Sequence, residues 1–146
     1  MPETWLSFDT LALVATAGVF GAILFFSAVV TPVAFVKLAP EQASAYIRAI
    51  FPWYYLWLVV FAGLAAFGFA WHHPLEAGLA ALIVALAIVS RLVLMPRLDR
   101  VRDAHKAGDQ AASRRFRNLH RSSVVLNLIA LAASTTLLVR FIAGLS

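Results

Sequence analysis

Side chains able to do chemistry are few in this sequence, and they gather at one end of long hydrocarbon-like segments. His120, Ser123, Asn127 and Ser134 form a series whose later members fall three, seven and fourteen residues along from the first, a spacing that puts them on one face of a helix. A polar stripe on an otherwise apolar helix must face protein, because hydrocarbon offers no hydrogen-bond partner. Such a stripe either joins helices, at about 1 kcal/mol or less per contact, or lines a pocket. Ser27 and Thr31, four residues apart on an earlier segment, are its natural partners. Arg91 lies ~6 Å inside Met95 along a helix axis, and reads either as snorkelling to headgroups or as a buried ion pair or anion site. The expectation is that Thr31, Arg91, His120 and Asn127 meet at one depth of a compact bundle.

Other chemistries are excluded by composition. The chain has no cysteine, which removes disulfides, thiolate metal sites and cysteine nucleophiles together. Its two methionines, Met1 and Met95, give no thioether path for soft copper ions. His72 and His73 are adjacent, so on a helix they diverge by ~100° and do not easily share a metal. His105, set among basic residues, reads as a solvated loop histidine. No catalytic residue, metal or cofactor is expected, and haem is disfavoured.

The stretch from Arg91 to Asn127 is the one large polar island. Arg97, Arg100, Arg102, Lys106, Arg114, Arg115, Arg117 and Arg121 stand there against Asp99, Asp103 and Asp109, a local net charge equal to the +5 of the whole chain. Their simplest physical role is contact with anionic lipid headgroups, at about 1 kcal/mol per well-placed basic residue. Nucleic acid is a poor partner, because a short tethered loop offers neither a groove-reading helix nor a stacking platform.

The elements that must position these residues follow from the apolar runs. With 62% hydrophobic and 13% charged residues in a chain of 146, more apolar surface is present than a soluble domain of this size can bury. The pattern predicts an all-α membrane protein, a four-transmembrane-helix bundle in one domain over residues 1–146, with spans at about 11–36, 53–71, 75–95 and 122–142. The opening MPETWLSFDT has no Lys or Arg, unlike a cleavable signal peptide. Asp9 or Thr10 is the expected first cap, and Pro32 is expected to kink or end the first span. A short amphipathic surface helix is predicted between Lys37 and Pro52, with a break or kink at Pro52. Trp53, Tyr54, Tyr55 and Trp57 read as an interfacial belt. Two helical extensions turning at Gly108 form a cytoplasmic hairpin between spans three and four. Ala17, Gly18, Gly21 and Ala22, and separately Ala77, Ala81 and Ala85, read as close-packing faces.

Charge sets the expected orientation. Lys37, Arg48 and the island fall on one side and Arg140 on the other, which predicts a bacterial inner-membrane, multi-pass protein with both termini outside the cytoplasm. A faint repeat also emerges: a span ending at a proline (Pro32, Pro96), a polar connection, then a phenylalanine (Phe51, Phe116) leading into the next span. It reads either as a duplication about an axis along the membrane normal or as the helix-loop-helix that any four-helix membrane protein shows twice.

Thr31-Pro32, Phe51-Pro52-Trp53-Tyr54, Leu94-Met95-Pro96-Arg97-Leu98, and Phe116 to Ser123 with Asn127 together resemble the bacterial membrane family of domain of unknown function 4149. That family is related to eukaryotic transmembrane protein 205 and, more distantly, similar to copper-resistance D-type proteins and a haem-pathway oxidase. In those relatives histidines within the spans are thought to carry metal or haem, whereas here no histidine lies mid-membrane. The eukaryotic relative's association with platinum-drug tolerance implies efflux or trafficking. The resulting expectation is a non-enzymatic transport-type or efflux and stress-tolerance accessory protein. Its alternatives are a membrane adaptor binding anionic lipid or a cytosolic partner through the basic loop, and a haem- or quinone-linked redox protein. A homo-oligomer is left open, and the small-molecule substrate has no assigned class.

Overall fold

The computed structural model describes residues 7–144; the stretch 1–6, with most of the opening segment read above, and residues 145–146 lie outside it. Four helices long and apolar enough to cross a membrane make up the fold: α1 (Phe8–Lys37), α2 (Pro40–Phe69), α3 (Pro74–Lys106) and α4 (Gln110–Ile142). Consecutive helices run antiparallel and pack side by side, and α1 closes the ring against α4. One end carries both termini and the α2–α3 turn. The other, called here the basic end, carries the island.

Local signals explain the element ends. Ser7, rather than Asp9 or Thr10, caps α1, its hydroxyl accepting from the Thr10 N–H at 3.0 Å. Pro40 and Pro74 occupy the first turns of α2 and α3, where a missing N–H costs nothing. Gly108, at φ 88°, makes the turn between α3 and α4 in a conformation that disfavours a Cβ. Asp109 then caps α4, accepting from the N–H groups of Ala111 and Ala112 at 2.8 and 3.2 Å.

Each helix of ~45–50 Å outruns a hydrocarbon core of ~30 Å, so the spans read from hydropathy are shorter than the helices. The predicted separate surface helix does not exist; residues from Pro40 onward are the first turns of α2, which passes through Pro52 without a break. Packing accounts for this. Ala43, Ile47, Tyr54, Leu58, Ala62, Ala65 and Phe69 are buried in one phase across the proline, and that continuous stripe outweighs one lost backbone bond.

Pro32 and Pro96 behave differently. Neither ends its helix; each is preceded by a π-helical turn, Phe26–Val30 and Ser90–Leu94, followed by one residue and then the proline. The Thr31 and Met95 N–H groups reach back to the carbonyls of Phe26 and Ser90. An α-helical path would press the proline ring on the carbonyl four residues earlier, and the wider turn avoids that clash. The same device thus stands one residue ahead of both Pro32 and Pro96.

The core uses only part of the predicted small-residue faces: Gly18, Ala22 and Ala77 are half-buried, and a Cβ at Gly18 would lie 2.8 Å from the Phe61 ring. Ala12, Ala15, Val19, Ile23 and Phe26 face inward on α1, and Ala80, Ile83 and Ala87 on α3. Ala17, Gly21, Ala81 and Ala85 are exposed instead. Alanines at strict four-residue spacing drift around a 3.6-residue helix, whereas alternating threes and fours hold one face. The close backbone approach is at Gly68, where an added Cβ would lie 2.7 Å from the Phe8 carbonyl oxygen and 2.8 Å from the Ala12 Cβ.

Candidate functional site

At the basic end the four helices enclose a cavity of about 660 Å³, within the ~300–1,000 Å³ typical of small-ligand sites. Its walls are aromatic. Phe26 of α1 stacks on Tyr54 of α2 with centroids 4.4 Å apart, and Phe51 stacks on Tyr55 at 5.6 Å. The expected aromatic belt is therefore divided: Trp53 and Trp57, four residues apart, face outward, while Tyr54 and Tyr55 turn in at 7% and 3% exposure. Both tyrosines line the cavity, and their hydroxyls reach α4 at Asn127 and Ser123.

A polar network lies deepest toward the membrane interior. The Tyr54 hydroxyl donates to Asn127 Oδ1 at 2.6 Å, and Asn127 Nδ2 donates to Ser27 Oγ at 3.2 Å. One amide thereby links α1, α2 and α4. Tyr55 Oη and Ser123 Oγ stand 3.5 Å apart. Thr31 and His120 also line the cavity. The structure thus brings Ser27, Thr31, His120, Ser123 and Asn127 to one enclosure. Arg91 is not among the lining residues: it sits half-buried in the second π-turn, where Ser90 and Leu94 take the buried positions. One residue beyond Ser90, it points about a quarter-turn away. Ser134, the far member of the stripe, is fully buried toward the terminal end, and its hydroxyl donates to the Leu131 carbonyl at 2.9 Å.

The mouth is cationic. Arg102, His105 and Lys106 of α3 line it with His120 of α4. Phe116 organises this group: the His105 ring stacks on it at 4.8 Å and 11°, and the Arg102 guanidinium carbon lies 6.0 Å from its centroid. His105 is thus no solvated loop residue; it closes the last turn of α3, with Nδ1 2.8 Å from Ser113 Oγ. Arg102 departs most from its sequence reading as a headgroup contact, being 9% exposed, because its stem packs inward beside Phe116. Arg97, Arg100, Lys106, Arg114, Arg115, Arg117 and Arg121 are exposed. Arg48 of α2 reaches Asp99 at 3.2 Å and Asp103 at 4.0 Å, fixing the extension of α2 to that of α3.

The cavity opens sideways between α1 and α4. The backbones of these helices pack together along Phe8–Phe25 but separate from the π-turn onward, where the Asn127–Ser27 hydrogen bond still spans them, and Phe35, Val124 and Leu128 at the gap are 57%, 44% and 57% exposed.

The terminal end holds a second polar group that hydropathy hid. Glu76, 2% exposed, accepts from Arg140 Nε at 2.7 Å, and His73 Nε2 stands 3.5 Å from Asp9 Oδ1. The sequence reading used Arg140 only as a topology marker and did not pair it with Glu76. Their depth in antiparallel neighbours, each near a terminal-end helix tip, was the signal that could have paired them. Among the described residues no three His, Asp or Glu side chains gather as a metal site.

Four apolar helices closed into a ring, each with its outward face hydrophobic, define an integral, multi-pass membrane protein. Within that class the chain belongs to the family described as Domain of unknown function (DUF4149), whose profile matches residues 14–107. No curated protein and no solved structure matches the chain.

Proposed function

We propose that this protein is a transport-type or efflux-accessory protein of the bacterial inner membrane that admits a small amphiphilic molecule from the bilayer into the cavity between its helices. The observation that carries the reading is the lateral opening between α1 and α4 into an aromatic enclosure with a polar floor. A molecule dissolved in lipid reaches such a site without crossing water, and Thr31 and His120 offer it hydrogen-bonding groups inside. In this reading both termini lie outside the cytoplasm and the basic end lies within it. The test is a thermal-shift series with single-chain amphiphiles on purified protein and on Ser123→Trp, whose indole projects into the cavity and obstructs it. The wild type is expected to be stabilised and the variant not; equal shifts in both sink the reading. Flux of a stabilising compound in proteoliposomes then separates transport from binding alone.

A second reading, an adaptor held to anionic lipid or a cytosolic partner, is favoured by the exposed arginines of the hairpin, from Arg97 to Arg121. Replacing Arg114, Arg115 and Arg117 by Glu would abolish that role while leaving amphiphile binding intact.

A further inference from the structure

We infer that the occupant of the cavity carries an anionic head, a phosphate or carboxylate on a single apolar chain, with Arg102 as its anchoring residue; this deepens the reading above and rests on it. Among the described residues lining the cavity, Arg102 and Lys106 are cationic and none is acidic. Arg102 is nine-tenths buried, and its Nη1 makes no hydrogen bond. Asp99 Oδ1 stands 3.7 Å from that nitrogen and 3.2 Å from Arg48 Nε, an ion pair with each and a hydrogen bond with neither. A guanidinium has five N–H donors in a planar fork suited to carboxylate or phosphate. An anion entering the mouth would add charge-assisted acceptors to a buried guanidinium that Asp99 meets only at ion-pair range.

The rest of the cavity fixes the ligand's orientation. Phe116 holds the guanidinium from one face and His105 from stacking freely elsewhere, with Ser113 orienting the imidazole. Deeper in, Phe26 and Phe51 offer ring faces, and the Tyr54–Asn127–Ser27 groups already satisfy one another. A charge placed there would lack a counterion, so the head belongs at Arg102 and Lys106 and the chain runs inward. A volume of about 660 Å³ lies in the small-ligand range, which suits one chain rather than a whole two-chain lipid. The gap between α1 and α4 opens at the end where the basic residues gather, so a head at Arg102 lies at the level of lipid headgroups.

The test measures equilibrium binding by native mass spectrometry of the full-length protein in neutral detergent, with dodecyl phosphate, dodecanol, dodecyltrimethylammonium and inorganic phosphate as probes. Dodecyl phosphate is expected to bind at least about tenfold more tightly than dodecanol, as charge-assisted bonds exceed neutral ones, and the ammonium least. Arg102→Gln is expected to erase that preference while dodecanol binding persists. Arg114→Gln, on the exposed face, should retain it. If Arg102→Gln does not fold, Lys106→Gln at the mouth is expected to reduce the preference and Arg102→Lys to keep part of it. Equal binding of dodecanol and dodecyl phosphate in the wild type overturns the anionic head but leaves the cavity reading standing. Binding of neither overturns both. Inorganic phosphate binding as tightly as dodecyl phosphate overturns the amphiphile in favour of a free anion, and equal losses in Arg114→Gln and Arg102→Gln assign the effect to overall charge instead of the site.

Discussion

Tyr54 and Asn127 sit on diagonally opposed helices and are joined by a 2.6 Å hydrogen bond, with the Asn127 amide passing on to Ser27 at 3.2 Å. Diagonal helices of a four-helix ring seldom touch through backbone, so this chain of side chains crosses the bundle where the cavity would otherwise separate its walls.

Removing the central amide should therefore loosen the basic end. Asn127→Leu forfeits two contacts and Tyr54→Phe one, each worth about 1 kcal/mol or less within a membrane. Melting in detergent is expected to rank wild type above Tyr54→Phe and Tyr54→Phe above Asn127→Leu. An unchanged midpoint for Asn127→Leu would show that the network adds nothing to stability.

Gly68 and Gly21 provide a contrast within helices of similar composition. A methyl group at Gly68 meets the Phe8 carbonyl and Ala12, whereas nothing lies within 4 Å of one at Gly21. Gly68→Ala is expected to destabilise by roughly 1–3 kcal/mol through overpacking. Gly21→Ala should be neutral or mildly stabilising, since it removes a helix-interior glycine. Similar losses for the two would contradict the α1–α2 contact.

Much of this was legible before any coordinates. The four helices, the turn at Gly108 and the clustering of Ser27, Thr31, Ser123 and Asn127 follow from hydropathy and helical spacing, because polar groups at one depth in a bilayer have only each other as partners. What escaped reading depended on phase. Pro52 looks like a stop unless Ile47, Tyr54 and Leu58 are seen to share a face across it. Arg102 looks like its exposed neighbours until Phe116 gives its stem something to pack on. Gly21 looks like a contact glycine, yet the inward face of α1 runs through Val19 and Ile23.

Glu76 and Arg140 predict an asymmetry. The carboxylate is 3% exposed and the guanidinium 31% in their side chains. Arg140→Met would strand a buried acid, at about 3–5 kcal/mol for breaking such a pair. Glu76→Gln leaves a cation that can still reach water, and its loss should be smaller. The double change to Met and Leu should recover much of the stability lost in Arg140→Met. Equal melting temperatures for the two single variants would argue that the pair is solvated.

Orientation can be read directly. A reporter fused after Ser146 should be active as a periplasmic fusion and one inserted at Gly108 as a cytoplasmic fusion. The reverse pattern would invert the proposed arrangement and place the cationic mouth on the outer face.

The two π-turns have a consequence for how this chain tolerates changes in length. A π-turn is an α-helix carrying one surplus residue, so deleting a residue from Phe26–Val30 or Ser90–Leu94 keeps the phase on either side intact, while pressing Pro32 or Pro96 onto the carbonyl four residues earlier at a cost of about 3 kcal/mol. A deletion anywhere else along α1 or α3 turns all that follows by ~100° and moves the inward face into lipid. These are then the two places within the bundle where a codon can be lost without scrambling the core. Of the two, a loss from Phe26–Val30 acts where α1 parts from α4, so that shortened chain should fold with its lateral doorway narrowed.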